Sequence, residues 1–492
     1  MNKANEQRDR IRLKSIAHRA MLEHGLVPDF SKEVLAELNK IKEPATIPEK
    51  AGLVDMRSLL WCSLDNDDSR DLDQLAAAEA MGNGRVKILI AIADVDAVVK
   101  KDSAIDQHAQ QNTTSVYTAS EIFSMLPEKL STDITSLNFE CDRLAVVVEI
   151  EIADDGSVVN SAFYKAIVRN KARLSYNSVA AWLNKKESMP KGIASVKGME
   201  ESLRLQDATA QKMKLLRHMH GALVFETIEA KPVFSGDTLV DLIPEADNRA
   251  KEMIEDFMIA ANSVTAKYLA SMNYVSIRRV VSEPKRWDRI VSVVAKHGTT
   301  LPAQPDSIAL EKFLVSSQKA DPIRFPDVSL CIIKLLGSGD YVVQVPGNVS
   351  EGHFGLAVKS YTHSTAPNRR YPDLMTQRIL KAAISGSPSP YSVEELRELA
   401  QRCNNAENSA KKVERQMVKS AAAILLEQRI GDQFDAIVTG AADKGTWVRI
   451  MNPPLEGRLY RGFKGLDVGD SLRVQLTSTN VERGYIDFKR VN

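Results

Sequence analysis

Trp61-Cys-Ser-Leu-Asp65-Asn-Asp67-Asp68-Ser-Arg-Asp71-Leu-Asp73-Gln74-Leu75 places five aspartates within nine residues of a chain that is otherwise of mixed composition. Carboxylates this close repel one another and raise one another's pKa unless a cation sits among them, and the natural occupant is a hard, oxygen-seeking ion such as magnesium or manganese. Asp71 and Asp73 are two apart, so an extended backbone sends both side chains to one face. A solvated acidic loop is the alternative. A calcium loop is excluded, because with Asp65 as position one, Arg70 stands where the turn glycine belongs and Ala76 where the bidentate glutamate belongs.

Outward from this stretch, 492 residues with 44% hydrophobic and 26% charged content describe a globular protein of more than one domain rather than a disordered chain. A formal net charge of +1 means that any polyanion must be gripped by a local basic surface. Cys62, Cys141, Cys331 and Cys403 are widely spaced, which argues against a zinc site or a disulfide framework and for a reducing cytoplasm. The basic N-terminus (Lys3, Arg10, Arg12, Lys14) leads into no apolar signal segment, and no run approaches the roughly 18 apolar residues of a membrane span.

Residues 1–55 are expected to form a helical region and a linker containing Pro44, Pro48 and Gly52; its cations either solvate a helix or touch phosphates. Val86 to Ala93 and Leu144 to Ile152 predict strands, and Asn248 to Met272 predicts a helix with Met253, Phe257, Ala261 and Val264 on one face. Ser392-Val-Glu-Glu395 is a capping box opening a long helix whose seam is expected to pack on the large domain, with Gly431 as its stop. Five short strand-like segments between Phe434 and Phe488 predict a small barrel of the OB type. Trp447, Arg449 and Arg458 give it the interleaved aromatics and cations on which single-stranded nucleic acid stacks, unless they are core aromatics and solvated cations.

Several of these segments resemble, in order, blocks of the RNB family, the hydrolytic 3′-to-5′ exoribonucleases of the ribonuclease II and ribonuclease R type. Ser63-Leu-Asp65 with Asp71-Leu-Asp73 is similar to the family's aspartate signature. Thr114-Ser-Val-Tyr117, Ala172-Arg-Leu-Ser-Tyr176, Glu255 to Asn262 and His353-Phe-Gly-Leu356 are similar to later blocks, and Tyr361-Thr-His-Ser-Thr-Ala-Pro-Asn-Arg369-Arg370-Tyr-Pro-Asp373-Leu is the most distinctive. The resemblance implies an α/β (α+β) RNB catalytic core over residues 56–430, a C-terminal S1-type barrel over 431–492, and a short helical N-terminal region in place of the family's cold-shock barrels.

It also implies a reaction and a site. Single-stranded RNA with a free 3′ end would be hydrolysed processively to nucleoside 5′-monophosphates by a cytoplasmic monomer, using Mg2+ or Mn2+, with two ions during catalysis. Asp65, Asp71 and Asp73 would be catalytic and bind metal, and Arg369 would stabilise the scissile phosphate. Tyr117, Tyr176, Phe225, Glu255, Asn262, Arg370 and Glu414 would contact RNA, although Arg370 could instead pair with Asp373. Gln74 departs from the pattern, since the family has a fourth aspartate there; an amide can ligate a hard cation but brings no charge. A catalytically weakened RNA-binding protein is therefore the alternative function.

Overall fold

The computed structural model describes residues 8–45, 52–226, 230–244, 248–348, 351–442 and 445–491; Lys3 and Pro48 lie outside them. The expected strands are present and form the centre of one mixed sheet. Its strands are Val54–Asp55 (β1), Cys62–Asp65 (β2), Gln74–Gly82 (β3), Arg85–Ala93 (β4), Asp142–Ile152 (β5), Val158–Arg169 (β6) and Ala172–Ser175 (β7), in the order β1-β6-β5-β4-β3-β2-β7. Pairing is antiparallel through the middle and parallel at both ends, β1 on β6 and β7 on β2. The run Ile90-Ala-Ile-Ala93 is buried without alternation, because both faces of β4 are covered.

The aspartate stretch leaves this sheet at Asp65 and returns to it at Gln74. Between them the backbone is pinned by neighbouring loops: the Leu72 N–H donates to the Ser136 hydroxyl at 3.0 Å, and the Asp73 carbonyl accepts from the Ala93 N–H at 2.9 Å. Leu72 is buried between the two aspartates that flank it.

Helices cover the sheet. Arg249–Ser271 is capped by Asn248, whose side chain accepts from the N–H groups of Ala250 and Lys251, and Val393–Leu426 is capped by Ser392, as its capping box predicts. In chain order we label Arg8–Glu23 α1, Met199–Met219 α2, Arg249–Ser271 α3, Tyr371–Ile384 α4 and Val393–Leu426 α5. α5 ends at Leu426 rather than at Gly431, with a short 3-10 turn after it. Its seam serves two cores. Leu396, Leu399 and Cys403 join the core under the sheet, whereas Ala410, Val413, Met417 and Ala421 pack with α1 and the barrel. Helices at 287–296, 307–320 and 325–336 form a separate unit with its own core of Trp287, Ile290, Phe313, Phe325 and Ile332, a subdivision the sequence did not announce.

Gln433–Ala442 (β8), Gly445–Ile450 (β9), Leu455–Arg461 (β10), Ser471–Asn480 (β11) and Tyr485–Arg490 (β12) close the expected five-stranded barrel in the order β8-β9-β10-β12-β11. Gly484 turns at φ +63° against α5, where a Cβ would stand 2.8 Å from the Gln416 carbonyl oxygen. α1 is the second support: its face of Leu13, Ile16, Ala17, Ala20 and Met21 is fully buried, each large side chain contributing about 1.5–3 kcal/mol. Three of its arginines are engaged within the protein. Arg12 and Arg19 reach Glu482 of the barrel at 3.1 and 2.8 Å, and Arg10 pairs with Asp237 and stacks on Phe234. Among the described residues no helix is long and apolar enough to cross a membrane.

Glu456 of β10 ties the barrel to both remaining neighbours, 2.7 Å from Lys334 and 3.5 Å from Lys419. Burial alone would raise its pKa, but these two ammonium groups overrule it and hold the carboxyl at about 2. A depressed carboxyl contributes stability above its unfolded pKa and loses it as pH falls through the folded one. Glu456→Gln should thus destabilise the protein by about 1–2 kcal/mol at pH 7. In denaturant melts across pH, that difference should shrink below pH ~4.5 and vanish near pH 2.

Candidate active site

Asp65 closes β2 with its carboxylate turned back on the loop, accepting from the Asn66 N–H at 2.8 Å and the Ser69 hydroxyl at 2.9 Å. The same hydroxyl stands 3.3 Å from Asp71 Oδ1, so Ser69 links the two carboxylates. Asp73 is buried; its Oδ2 accepts from Arg369 Nε at 3.0 Å and its Oδ1 from the Asn368 N–H at 3.3 Å. Burial pushes Asp73 up to about 7 despite Arg369, with the charge of Asp71 adding to the rise. Asp65 is raised as well, first by burial and further by Asp71.

The carboxylate oxygens of this cluster, those of Asp65 and Asp71 only half-buried, are the donor type that a hard divalent cation takes. Asp65 and Asp71 are the pair positioned to hold one. Among the described residues no group of three or more His, Cys, Asp or Glu is drawn together tightly enough for a metal, because Asp73 is turned onto Arg369. Gln74 opens β3 opposite Ile92 and makes no hydrogen bond through its amide among the described residues.

Arg369 is delivered by a loop whose shape Asp373 dictates. Fully buried at the start of α4, Asp373 accepts the N–H groups of Thr365 and Ala366 at 2.8 and 2.9 Å and the fork of Arg370 at 2.7 and 2.8 Å. Arg370 is therefore occupied as an ion pair. Asn262, buried on α3, accepts the Ser364 N–H and hydroxyl at 2.8 Å each and faces the Tyr361 hydroxyl at 3.3 Å, so it supports this loop from behind. Glu255, two turns earlier, is exposed; burial raises the Tyr361 phenol, and the charges of Asp373 and Glu255 add to the rise. The segment 113–117 runs beside the loop, with the Ser115 N–H donating to the Arg369 carbonyl at 2.9 Å and the Tyr371 N–H to the Thr113 carbonyl at 2.8 Å. This pairing sets Tyr117 beside Arg369.

Tyr117 is 41% exposed, and the carboxylate of Glu414 on α5 accepts its N–H at 3.0 Å. Burial of the Tyr117 phenol pushes it to about 12. Tyr176 begins the helix that Ser175 caps and lies near Asp65 and Arg369; burial, then Asp65, raises its phenol. Burial works against the Arg369 cation, but Asp73 and Tyr117 keep it charged.

The remaining expected RNA contacts are elsewhere. Phe225 packs half-buried on the three-helix unit at 287–336. Trp447 and Arg458 are cross-strand partners on the barrel and line a cleft of about 980 Å³ with Lys412 and Arg415 of α5. Arg449 corrects an expectation: it is buried against Asp327 of the three-helix unit and presents no cation to solvent, because that unit covers the barrel's outer face. The sequence did not single out Ser69 or Asn368, whose only signal is adjacency to Asp71 and Arg369. It also passed over Tyr341 and Arg279, which carried none.

Removing one partner of a buried, multiply bonded pair is expensive, so Asp373→Asn should cost about 3–5 kcal/mol in chemical denaturation. Asp71→Asn, in a half-buried carboxylate, should cost far less in the same measurement.

Comparisons with known proteins bear on the family and the fold. The family described as "RNB domain" matches residues 53–386, and "RNase II-type exonuclease C-terminal S1 domain" matches residues 432–491. The chain is 28% identical over 448 residues to ribonuclease R 1 of Lactococcus lactis, covering 88% of this chain and 53% of that protein. It is 28% identical over 511 residues to ribonuclease R of Escherichia coli, covering 96% and 62%. It thus spans little more than half the length of these curated relatives. The fold superposes with a TM-score of 0.87 and 23% identity on Mycoplasma genitalium RNase R in complex with ribose-methylated single-stranded RNA, covering 98% of this chain and 78% of that one.

Proposed function

The chain belongs to the RNB domain family, and from that premise we propose that it is a 3′-to-5′ exoribonuclease that shortens single-stranded RNA processively to nucleoside 5′-monophosphates. The observation that carries the reading is the meeting of Asp73 and Arg369, 296 positions apart, beside Asp65, Asp71 and the half-exposed ring of Tyr117.

Each side chain has a task in that reaction. Tyr117 stacks on the terminal base without regard to its identity, which suits an exonuclease. Tyr176 and Glu255 bond the sugar hydroxyls that distinguish RNA from DNA. The guanidinium of Arg369 exchanges Asp73 for the non-bridging oxygens of the scissile phosphate, where its planar fork meets the charge that builds in the transition state. Asp73 holds Arg369 in place beside the site. A magnesium or manganese ion on Asp65 and Asp71 supplies Lewis acidity and a more acidic water when bound. A second ion during turnover would draw on Asp73 and Gln74. The barrel face of Trp447 and Arg458 guides the incoming strand.

The second reading, an RNA-binding protein with weakened catalysis, draws on Gln74 and on the engagement of Asp73 by Arg369. Purified protein incubated with 5′-labelled single-stranded RNA and Mg2+ or Mn2+ separates the two. A ladder shrinking from the 3′ end on RNA but not on DNA, abolished by EDTA and lowered at least about a hundredfold by Asp73→Asn, supports the nuclease. Intact RNA with a retained gel shift supports the binder. Gln74→Asp should lower the Mg2+ concentration for half-maximal rate by roughly tenfold, as restoring a charged ligand does; an unchanged or higher midpoint would place Gln74 outside the metal site.

A further inference from the structure

The loop that carries Arg369 presents one more polar side chain, His363, to which neither the metal chemistry nor the base clamp gives a task. Its ring is held on two sides. Its Nδ1 lies 2.7 Å from the Tyr341 hydroxyl, and its plane stands edge-on to the rings of Tyr341 and Tyr361 at centroid distances of 5.6 and 5.8 Å. Tyr341 is fixed in turn. Its backbone N–H donates to Asn404 Oδ1 at 2.7 Å, and its carbonyl accepts from Asn404 Nδ2 at 3.0 Å. Its ring lies under the Arg279 guanidinium at 4.6 Å, which Glu407 of α5 grips at 2.6 and 2.8 Å.

This arrangement decides where the imidazole proton sits. His363 is the one hydrogen-bond partner of the Tyr341 hydroxyl among the described residues; with that O–H donated to Nδ1, the ring proton resides on Nε2. Burial, and then the charges of Arg370, Arg279, His353 and Arg369, keep His363 neutral. Nε2 has no hydrogen-bond partner among the described residues, although the side chain is only half-buried. The result is a single N–H donor, without charge and without a partner among the described residues, near cations that are already paired: Arg370 with Asp373, Arg279 with Glu407 and Arg369 with Asp73.

We propose that His363 donates its Nε2–H to a phosphate oxygen of the bound RNA strand close to the scissile linkage, with Tyr341 as the positioning residue that fixes the donor. The phosphate is the anion that recurs along the strand and that this cationic neighbourhood attracts. A neutral donor holds it less tightly than an ion pair would, which suits a strand that must advance after every cleavage. The proposal rests on the RNA-degrading reading above.

It is tested by the affinity of 5′-fluorescein-labelled single-stranded RNA for the full chain carrying Asp73→Asn, in EDTA, so that no cleavage intervenes. His363→Ala should weaken binding roughly ten- to hundredfold, the worth of one hydrogen bond to a charged group. His363→Gln, whose amide N–H reaches the same place as Nε2, should keep most of the affinity, and Tyr341→Phe should lose part of it with an unchanged melting curve. A neutral methylphosphonate, introduced at each linkage near the 3′ end in turn, should weaken the parent at one linkage and leave His363→Ala indifferent there. Equal methylphosphonate losses in both proteins at every linkage, or a His363→Ala affinity equal to the parent's, would overturn the proposal. Where His363→Ala misfolds, the glutamine and phenylalanine variants carry the same comparison. A wild-type chain that neither binds nor degrades unmodified RNA would instead sink the parent reading, an outcome visible before any variant is made.

Discussion

The ion pair between Asp73 and Arg369 joins the mouth of the sheet to the loop before α4, and both sides of the site take their shape from it. A carboxylate buried this thoroughly is expensive to charge unless a cation is delivered to it. The protein delivers one from nearly 300 residues away, and the surrounding construction keeps that delivery accurate. Asp373 folds the arginine loop back on itself, Asn262 braces it from α3, and the strand-like segment 113–117 lines its other edge. The burial that makes Asp73 costly is also what brings its proton affinity into the neutral range.

α5 is the second organising element, because one amphipathic seam serves two cores. Its first half is continuous with the core beneath the sheet; its second half carries α1 and the barrel. Glu407 and Glu414 lie on this helix, one gripping Arg279 and the other accepting the Tyr117 N–H. Gly484 of the barrel lies against Gln416 on the same rod. Barrel, Tyr117 segment and arginine loop are therefore all registered to one helix.

Local chemistry was legible in the sequence wherever one segment settles its own fate. The density of aspartates, the apolar runs of β4 and β5, the cap at Ser392 and the five short strands of the barrel were all visible, since each depends on residues a few positions apart. What escaped depends on who covers whom. Arg449 alternates outward from Val448 and Ile450 as an RNA-facing cation would, yet the three-helix unit happens to cover that face. The basic residues of α1 had the composition of a phosphate-binding helix, but Glu482 and Asp237 answer them. The ligand-like aspartates could be named, but not the fact that Asp73 is turned to an arginine, because no periodicity reports a partner hundreds of residues distant.

The docking of α1 has a consequence for synthesis. Its apolar face and its arginines find their partners on α5 and at Glu482, the latter 470 positions after Arg12. At roughly 5–20 residues per second, a ribosome takes on the order of 20 to 100 s to supply the last of them. During that interval Leu13, Ile16 and Met21 have no native surface to cover them. α1 is made long before the surfaces that seat it, so its native packing waits on the synthesis of α5 and the barrel.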